Sequence, residues 1–280
     1  MRHCILLIFI SLFISSCSSN NEKANNNITV TIEPLRFFTE RIAGDRFSVQ
    51  TMVPSGSSPE TYEPTPRQLV YLSHSCLYIK IGKIGFERTW MSRLKVNAPQ
   101  MKIIDSSEGI RYIKDENGIE DPHTWISCKN ARIISRNILN ALLKTKNNNS
   151  PCTRKDSIYF TNNYNKLIKD INKTERSIIA KKKRNKTFII YHPILTYFAK
   201  EFDMKQLPME EEGREPNAKQ MMQLIQTAKK DKVKTIFIQR EFSPRSSMQI
   251  VMALHSEPTE INPLSYNWLE EMRNIVNDIR

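Results

Sequence analysis

Glycine is scarce in this sequence, and its placement excludes two kinds of phosphate-binding loop. Only seven of the 280 residues are glycine, and no two of them fall in a G-x-G-x-x-G or G-x-x-x-x-G-K-[S/T] frame. Those frames cradle dinucleotides and nucleoside phosphates, so we expect neither chemistry. The five cysteines include no C-x-x-C pair, which also excludes zinc ribbons and thioredoxin-like redox motifs.

Long apolar runs are also rare, and the N-terminal one is short. Residues 1–17 read MRHCILLIFISLFISSC, in which Arg2 precedes an apolar run over 5–14. A membrane span needs about 20 apolar residues, so this run is typical of a secretory signal peptide. The end of the segment, ISSC, resembles a bacterial lipobox, in which the cysteine is lipidated. We therefore predict a signal peptide over 1–16 and an acylated Cys17 on an extracytoplasmic, membrane-anchored lipoprotein; simple cleavage near Ser16 is the alternative.

The charge balance is strongly basic, at a formal +13, which ordinarily suggests a nucleic-acid partner. A chain that works outside the cytoplasm meets no genome, so we predict no nucleic-acid binding and interpret KKKRNK (181–186) as a solvated helix end. Beyond Cys17 the sequence has three cysteines, an odd number that permits at most one disulfide. Their spacing does not select a pair among Cys76, Cys128 and Cys152.

The order of strand and helix patterns predicts two α/β lobes. A polar tether over 17–27 is followed by alternating strands and helices over 28–150, and the alternation resumes over 186–280. This βαβα order indicates doubly wound lobes, each with a mostly parallel sheet. Between them, 151–185 forms the linker, and its segment 156–183 reads as one long helix. No proline or glycine interrupts 156–183, so we predict a rigid bridge between the lobes; a hinge in the polar segment KNNNSPCTRKD (146–156) is the alternative.

Polar residues at the ends of predicted strands mark a candidate cleft. Ligands of open α/β sheets bind outside the carboxyl ends of the strands. Glu60 lies in the loop after the strand at 47–53, His123 in the loop before the helix at 131–144, His192 directly after the strand at 187–191, and Asn262 at the end of the last strand. The pair His123 and His192 is a candidate set of metal ligands, although a single histidine in either position would more often be structural than a ligand. The other two histidines of the mature chain end helices, and we predict them at the surface: His74 and His255.

Four motifs in order carry a resemblance to a known family. PSGSSPETYEPTPRQL, DPHTW, YHP after a strand, and EINPL together resemble the zinc- and manganese-specific substrate-binding lipoproteins of bacterial ABC importers. The resemblance covers nearly all of 28–280. It implies two α/β lobes bridged by a rigid helix, with a divalent metal held in the cleft between them. The implied activity is metal capture and delivery to a membrane permease by a monomer, without catalysis.

The resemblance also implies a ligand set, from which this sequence departs twice. His123 and His192 match ligand positions of the family, whereas Glu60 stands where the family has a histidine and Asn262 where it has an aspartate. The family's histidine-rich loop is missing, since IRYIKDENGIE holds its place. Two imidazoles and one carboxylate still form a competent divalent site, but Asn262 supplies no charge. Glu241 is the nearest candidate to compensate, although a structural role is expected for it.

The identity of the metal and two other functions stay open at this point. Imidazoles favour Zn²⁺ and a carboxylate in the set favours Mn²⁺ or Fe²⁺; we favour zinc, with manganese as the alternative. A secreted metallohydrolase with a His/His/Glu site would need a general base beside a metal-bound water, and no compact motif such as H-E-x-x-H is present. A lipid-anchored adhesin with a degenerate metal site is the third reading. The acidic run MEEEGREP (209–216) is interpreted as a solvated loop.

Overall fold

The computed structural model describes residues 26–146, 150–181, 186–210, 214–241 and 245–279. The predicted signal peptide, Cys17 and the tether up to residue 25 lie outside these ranges, as do residues 182–185 of the basic segment and 211–213 of the acidic run. Among the helices of the described ranges, none combines the length and apolar composition needed to cross a membrane.

Two four-stranded sheets organise the described chain, and every strand pair in them is parallel. The first sheet has the order β2-β1-β3-β4 and the second the order β6-β5-β7-β8. In each sheet the order reverses next to the first strand, which is the doubly wound topology predicted from the alternation of elements. The strands are β1 (Asn27–Val30), β2 (Ser48–Thr51), β3 (Ser75–Lys80), β4 (Lys102–Asp105), β5 (Thr187–Ile190), β6 (Lys205–Pro208), β7 (Thr235–Gln239) and β8 (Pro258–Ile261).

Helices alternate with these strands and cover both faces of the second sheet. Along β5, Phe188 and Ile190 belong to the large hydrophobic core, whereas Ile189 and the following Tyr191 belong to a separate apolar cluster with α7 and α8. Successive strand residues point to opposite faces, so β5 is buried on both. The helices are α1 (Glu33–Ala43), α2 (Pro66–Ser73), α3 (Gly85–Asn97), α4 (Cys128–Leu143), α5 (Arg154–Ala180), α6 (Thr196–Glu201), α7 (Ala218–Lys230), α8 (Arg245–Ala253) and α9 (Trp268–Asp278), with one turn of 3₁₀ helix at Gly44–Arg46.

The long helix α5 joins the two lobes. It begins with a reciprocal capping box between Thr153 and Asp156, which satisfies backbone donors that the first turn of a helix leaves open. It runs for 27 residues, or about 40 Å at 1.5 Å per residue. The prediction of one uninterrupted helix is confirmed, although the helix begins two residues earlier and ends three residues earlier than expected.

Side chains of both lobes hold α5 in place. Arg41 of α1 pairs with Asp170 at 2.5 Å, and Arg132 of α4 makes two bonds to Glu175 at 2.9 and 3.0 Å. From the other lobe, Arg273 of α9 donates to the hydroxyl of buried Thr174 at 3.1 Å. The large hydrophobic core is continuous from the first sheet through α4 and α5 to β5 and α9. The two lobes therefore share a core, and the exact domain boundaries at 150 and 185 stay a prediction.

Candidate metal centre

The loops that follow β4 and β5 bring His123 and His192 together. The two Nε2 atoms lie 3.1 Å apart, and the ring planes are nearly perpendicular, with centroids 4.9 Å apart. His123 is buried at 7% exposure, and His192 is half-buried. One imidazole comes from each lobe, so the pair spans the cleft. The structure thus places side by side the two histidines that the sequence singles out.

Each imidazole contacts a carboxylate through its Nδ1 atom, on the side of the ring away from the other histidine. His123 Nδ1 lies 2.8 Å from Asp121 Oδ1, which also accepts the backbone N–H of His123 at 2.8 Å. His192 Nδ1 lies 2.6 Å from Oε1 of Glu210, which is buried at 7% exposure. Burial by itself would raise the pKa of the Asp121 carboxyl, but its hydrogen bonds to the ring and backbone of His123 outweigh burial and hold that pKa below its usual value.

This arrangement directs two nitrogen lone pairs at one point. An ionised carboxylate accepts and does not donate, so Asp121 and Glu210 each draw a ring proton to Nδ1. With one proton on each ring, both Nε2 atoms then face each other as acceptors, a contact that is favourable only when a proton or a metal cation lies between them. Carboxylates paired with the far nitrogen of a histidine are typical of metal sites. Two tetrahedral Zn–N bonds place their nitrogens about 3.3 Å apart, close to the 3.1 Å seen here. The pair therefore fits a divalent metal.

The backbone around His192 is fixed by a buried glutamine. Gln239, fully buried at the end of β7, accepts from the His192 N–H at 3.1 Å and donates to the His192 carbonyl at 2.8 Å. Because β5 and β7 are neighbours, the side-chain amide of Gln239 reaches both the N–H and the carbonyl of His192, which follows β5. His192 is thereby held at the edge of the cleft.

Contacts between the lobes fix the loop of His123. The Trp125 indole donates to the Pro263 carbonyl at 2.9 Å, and the Trp268 indole donates to the Trp125 carbonyl at 2.9 Å. Tyr197 of α6 donates to the Asp121 carbonyl at 2.8 Å and accepts from the Ile113 N–H at 3.1 Å. The loop between β4 and α4 is thus tied to the second lobe on both sides of His123.

Glu60 lies in the loop between β2 and α2, as predicted, and its carboxylate contacts the start of α3. Oε1 accepts the Gly85 N–H at 3.1 Å, and Oε2 lies 3.4 Å from Arg88 Nη2. Within the described residues, no three His, Cys, Asp or Glu side chains are grouped so that they could hold a metal together. The place of Glu60 in a ligand set therefore stays a prediction.

Asn262 follows β8 directly, and its backbone contacts an acidic side chain of α9. Its N–H donates to Glu271 Oε1 at 2.8 Å, and burial raises the pKa of the Glu271 carboxyl. Burial likewise raises the pKa of the Glu241 carboxyl, while a hydrogen bond from its own backbone N–H opposes the shift. Glu241 lies just after β7, as the sequence predicts. The role of Asn262 as fourth ligand also stays a prediction.

The prediction of a solvated loop over 209–216 is wrong for Glu210. Ile190 of β5 pairs with Pro208 of β6, and His192 and Glu210 each come two residues later, so the register places them side by side. This signal was available from the strand pattern, but it required knowing that β6 neighbours β5. The surface positions predicted for the other two histidines are confirmed, since both are exposed at helix ends: His74 and His255.

The fold and the site together define a class of protein. It has two lobes, each with a parallel sheet, and a candidate metal site in the cleft between them, where two imidazoles face each other and each contacts a carboxylate. A family model described as "ZnuA: Zinc-uptake complex component A periplasmic" matches residues 28–280. The chain belongs to this family of zinc-uptake components.

Several relatives support the assignment. The manganese ABC transporter substrate-binding lipoprotein PsaA of Streptococcus mitis is 27% identical over 261 residues, which cover 86% of this chain and 82% of the relative. The high-affinity zinc uptake system protein ZnuA of Bacillus subtilis (strain 168) is 25% identical over 278 residues, covering 90% and 85%. These are substrate-binding proteins of zinc and manganese importers, which confirms the functional class predicted from the sequence.

Solved structures agree on the fold. A crystal structure of ZnuA superimposes with a TM-score of 0.82 at 31% identity and covers 90% of this chain and 98% of its own. The laminin binding protein Lmb of Streptococcus agalactiae, described as having adhesin and metal transporting activity, reaches a TM-score of 0.78 at 21% identity, covering 91% and 99%. At that identity the likeness concerns the fold alone. The predicted fold class is confirmed.

Proposed function

We propose that this protein captures a divalent transition metal between its lobes and delivers it to the permease of an ABC importer. The observation that carries the proposal is the 3.1 Å approach of the His123 and His192 Nε2 atoms, each ring being backed by a carboxylate. A cation between the rings removes their mutual repulsion and uses both lone pairs. Glu60 is the third ligand and Asn262 the weak or water-mediated fourth.

Zinc is the favoured cargo and manganese the alternative. Imidazole donors bind Zn²⁺ more strongly than Mn²⁺, whereas oxygen donors reduce the difference. The set proposed here has two nitrogen donors and two oxygen donors, with one charge from Glu60. Relatives of both specificities occur in the family. Titration with both metals should rank zinc above manganese, and metal analysis of protein purified without chelator or metal-affinity resin identifies the cargo taken up in the cell.

A lipid anchor keeps the carrier beside its permease. Acylation of Cys17 would attach the mature chain to a membrane, where we expect it to act as a monomer. The lipobox-like ISSC supports this, as does the description of relatives such as the S. mitis protein as lipoproteins.

Capture describes the site better than hydrolysis does. A hydrolytic site needs a general base within reach of a metal-bound water, and the two carboxylates that contact the imidazoles, Asp121 and Glu210, are engaged with Nδ1 atoms. The ligands also come from both lobes, as suits a clamp that closes around an ion. The family is one of transport components, and we expect no catalytic activity.

Metal titration of single-site variants tests the proposal. His123→Ala and His192→Ala should each weaken zinc binding by about tenfold or more, because a site that loses one of its few ligands is incomplete. His74→Ala is the matched control, since it removes an exposed histidine at the end of α2. One metal should bind per chain in the unmodified protein.

If His123→Ala and His192→Ala both bind zinc with unchanged affinity and stoichiometry, these histidines are not the metal ligands and the proposed site is wrong. Equal losses in the cleft variants and in the His74 control would mean that zinc binds nonspecifically to surface imidazoles. A panel of hydrolase substrates assayed with the zinc-loaded protein should give no turnover; hydrolysis that disappears with His123→Ala would favour the enzyme reading.

A further inference from the structure

The carboxylate of Glu60 is bound at the first turn of α3. We call this position, formed by the Gly85 N–H and the Arg88 guanidinium, the seat of Glu60. The Gly85 N–H and the Arg88 guanidinium approach its two oxygens at 3.1 and 3.4 Å. A free N–H group at a helix start carries partial positive charge, and Arg88 adds a full charge. A further bond from Arg88 Nη1 to the Lys83 carbonyl, at 2.7 Å, holds the guanidinium beside the seat. The negative charge of Glu60 is thus balanced by groups of the chain itself.

The shape of this seat depends on glycine. A Cβ placed on Gly85 would lie 2.0 Å from Glu60 Oε2 and 2.7 Å from its carboxyl carbon, so any other residue would expel the carboxylate. The backbone of Gly85 does not have the positive φ that favours glycine, and glycine is a poor helix former. Helix α3 therefore does not require a glycine here, whereas the seat for Glu60 does.

We propose that Arg88 sets the metal affinity of the cleft by competing with the metal for Glu60. The inference rests on the proposed function, in which Glu60 is the third ligand. When the Glu60 carboxylate turns to coordinate a cation, it gives up its bonds to Gly85 and Arg88, so metal binding works against the seat. A carrier also has to release its cargo, and a second position for one ligand makes release easier. Arg88 is an affinity-determining residue and not itself a ligand.

The expected effect is small because the ion pair is partly exposed, with side-chain exposures of 63% for Arg88 and 38% for Glu60. Pairs of this kind change equilibria by about two- to fivefold. Arg88→Ala should therefore tighten zinc binding by about two- to fivefold, a gain that damage to the loop could not produce. Competition against a chelating dye, with the mature protein and all variants titrated side by side, resolves such differences.

Three further variants test whether Arg88 changes the zinc affinity through the Glu60 carboxylate. Arg93→Ala removes the same charge from an exposed position on the same helix, and it should leave the affinity nearly unchanged. Arg88→Lys keeps a cation near the carboxylate and should lie between the parent and Arg88→Ala. Glu60→Gln should weaken binding, and adding Arg88→Ala to it should bring no gain, because Arg88 acts through the Glu60 carboxylate.

The outcomes separate this inference from the proposed function. If zinc binding depends on His123 and His192 but Arg88→Ala leaves it unchanged or weaker, competition for Glu60 is refuted and metal capture stands. Equal gains in the Arg88 and Arg93 variants would also refute it, since they would report only the overall charge. If the histidine variants bind zinc as the parent does, the proposed function itself fails.

Discussion

Glu210 offers the most direct test of how the cleft prepares its histidines. The carboxylate lies 2.6 Å from His192 Nδ1 and is buried at 7% exposure. It follows β6 and reaches His192 from behind, on the side of the ring away from His123. Glu210→Ala therefore removes the group that places the ring proton on Nδ1 and orients the ring, without touching the proposed ligand atoms.

The size of the effect follows from the role of such a carboxylate. Partners of the non-coordinating nitrogen raise the basicity of the ligand and fix its tautomer, and their loss costs about 10- to 100-fold in metal affinity. That range corresponds to about 1.4 to 2.7 kcal/mol. Glu210→Gln keeps an oxygen that can accept from Nδ1 but loses the charge, so its loss of affinity should be smaller than that of Glu210→Ala.

Isothermal titration with zinc measures these losses, with Glu215→Ala as the matched control. Glu215 lies on the same connection to α7 but is exposed, and removing it should change the affinity little. Parent-like affinity in Glu210→Ala would refute the reasoning that Nδ1 partners prepare the site. A loss as large as that of His192→Ala would also contradict it, because Glu210 would then act as a ligand.

Four further predictions concern other parts of the chain. Asn262→Asp should tighten zinc binding by restoring a charge near the cleft; unchanged affinity in titration would place Asn262 outside the ligand set. Burial raises the pKa of Glu87 from 4.5 to about 7, so the folded state keeps a proton that the unfolded state loses, and stability should fall as the pH rises from about 5 to 7. Glu87→Gln lacks this titration, so denaturant unfolding should show the parent losing about 2 kcal/mol relative to the variant over that range, and parallel curves would contradict it. Cys17→Ser should release the protein from the membrane fraction or leave it unprocessed, whereas membrane-bound protein with an unmodified cysteine would refute acylation. Because α5 (Arg154–Ala180) is bound to both lobes, small-angle scattering should show nearly the same radius of gyration with and without zinc, and a clear decrease on binding would mean that the helix does not restrain the lobes.

The strands and helices were predictable because their signals are local. Short β-branched and aromatic runs predicted β5 and β7, and a thin stripe of apolar residues without an intervening proline or glycine predicted α5. Errors were confined to the ends, as for α5, where a capping box started the helix at Arg154 and so two residues earlier than expected. Helix ends depend on single side-chain bonds, which periodicity does not reveal.

The facing histidines were predictable as a pair but not as a geometry. A strand-end position for His192 and a loop position for His123 follow from the order of elements, because parallel strands direct their carboxyl ends to one edge. The 3.1 Å contact between the rings depends in addition on cross-lobe bonds such as that from Trp125 to Pro263, 138 positions apart in the chain. No local pattern contains such a contact.

The sequence by itself determined the two-lobed α/β architecture, the bridging helix and the pair of histidines in the cleft, since each depends on composition and spacing within a short segment. Only the tertiary structure decided which side chain or backbone group each carboxylate of the site contacts. Glu210 joined His192 because β6 pairs beside β5 in a definite register, and Glu60 found a seat at Gly85 because that residue lacks a Cβ. Such pairings depend on distances between segments far apart in sequence, and those distances are set only when the strands pair and the lobes pack on their shared core.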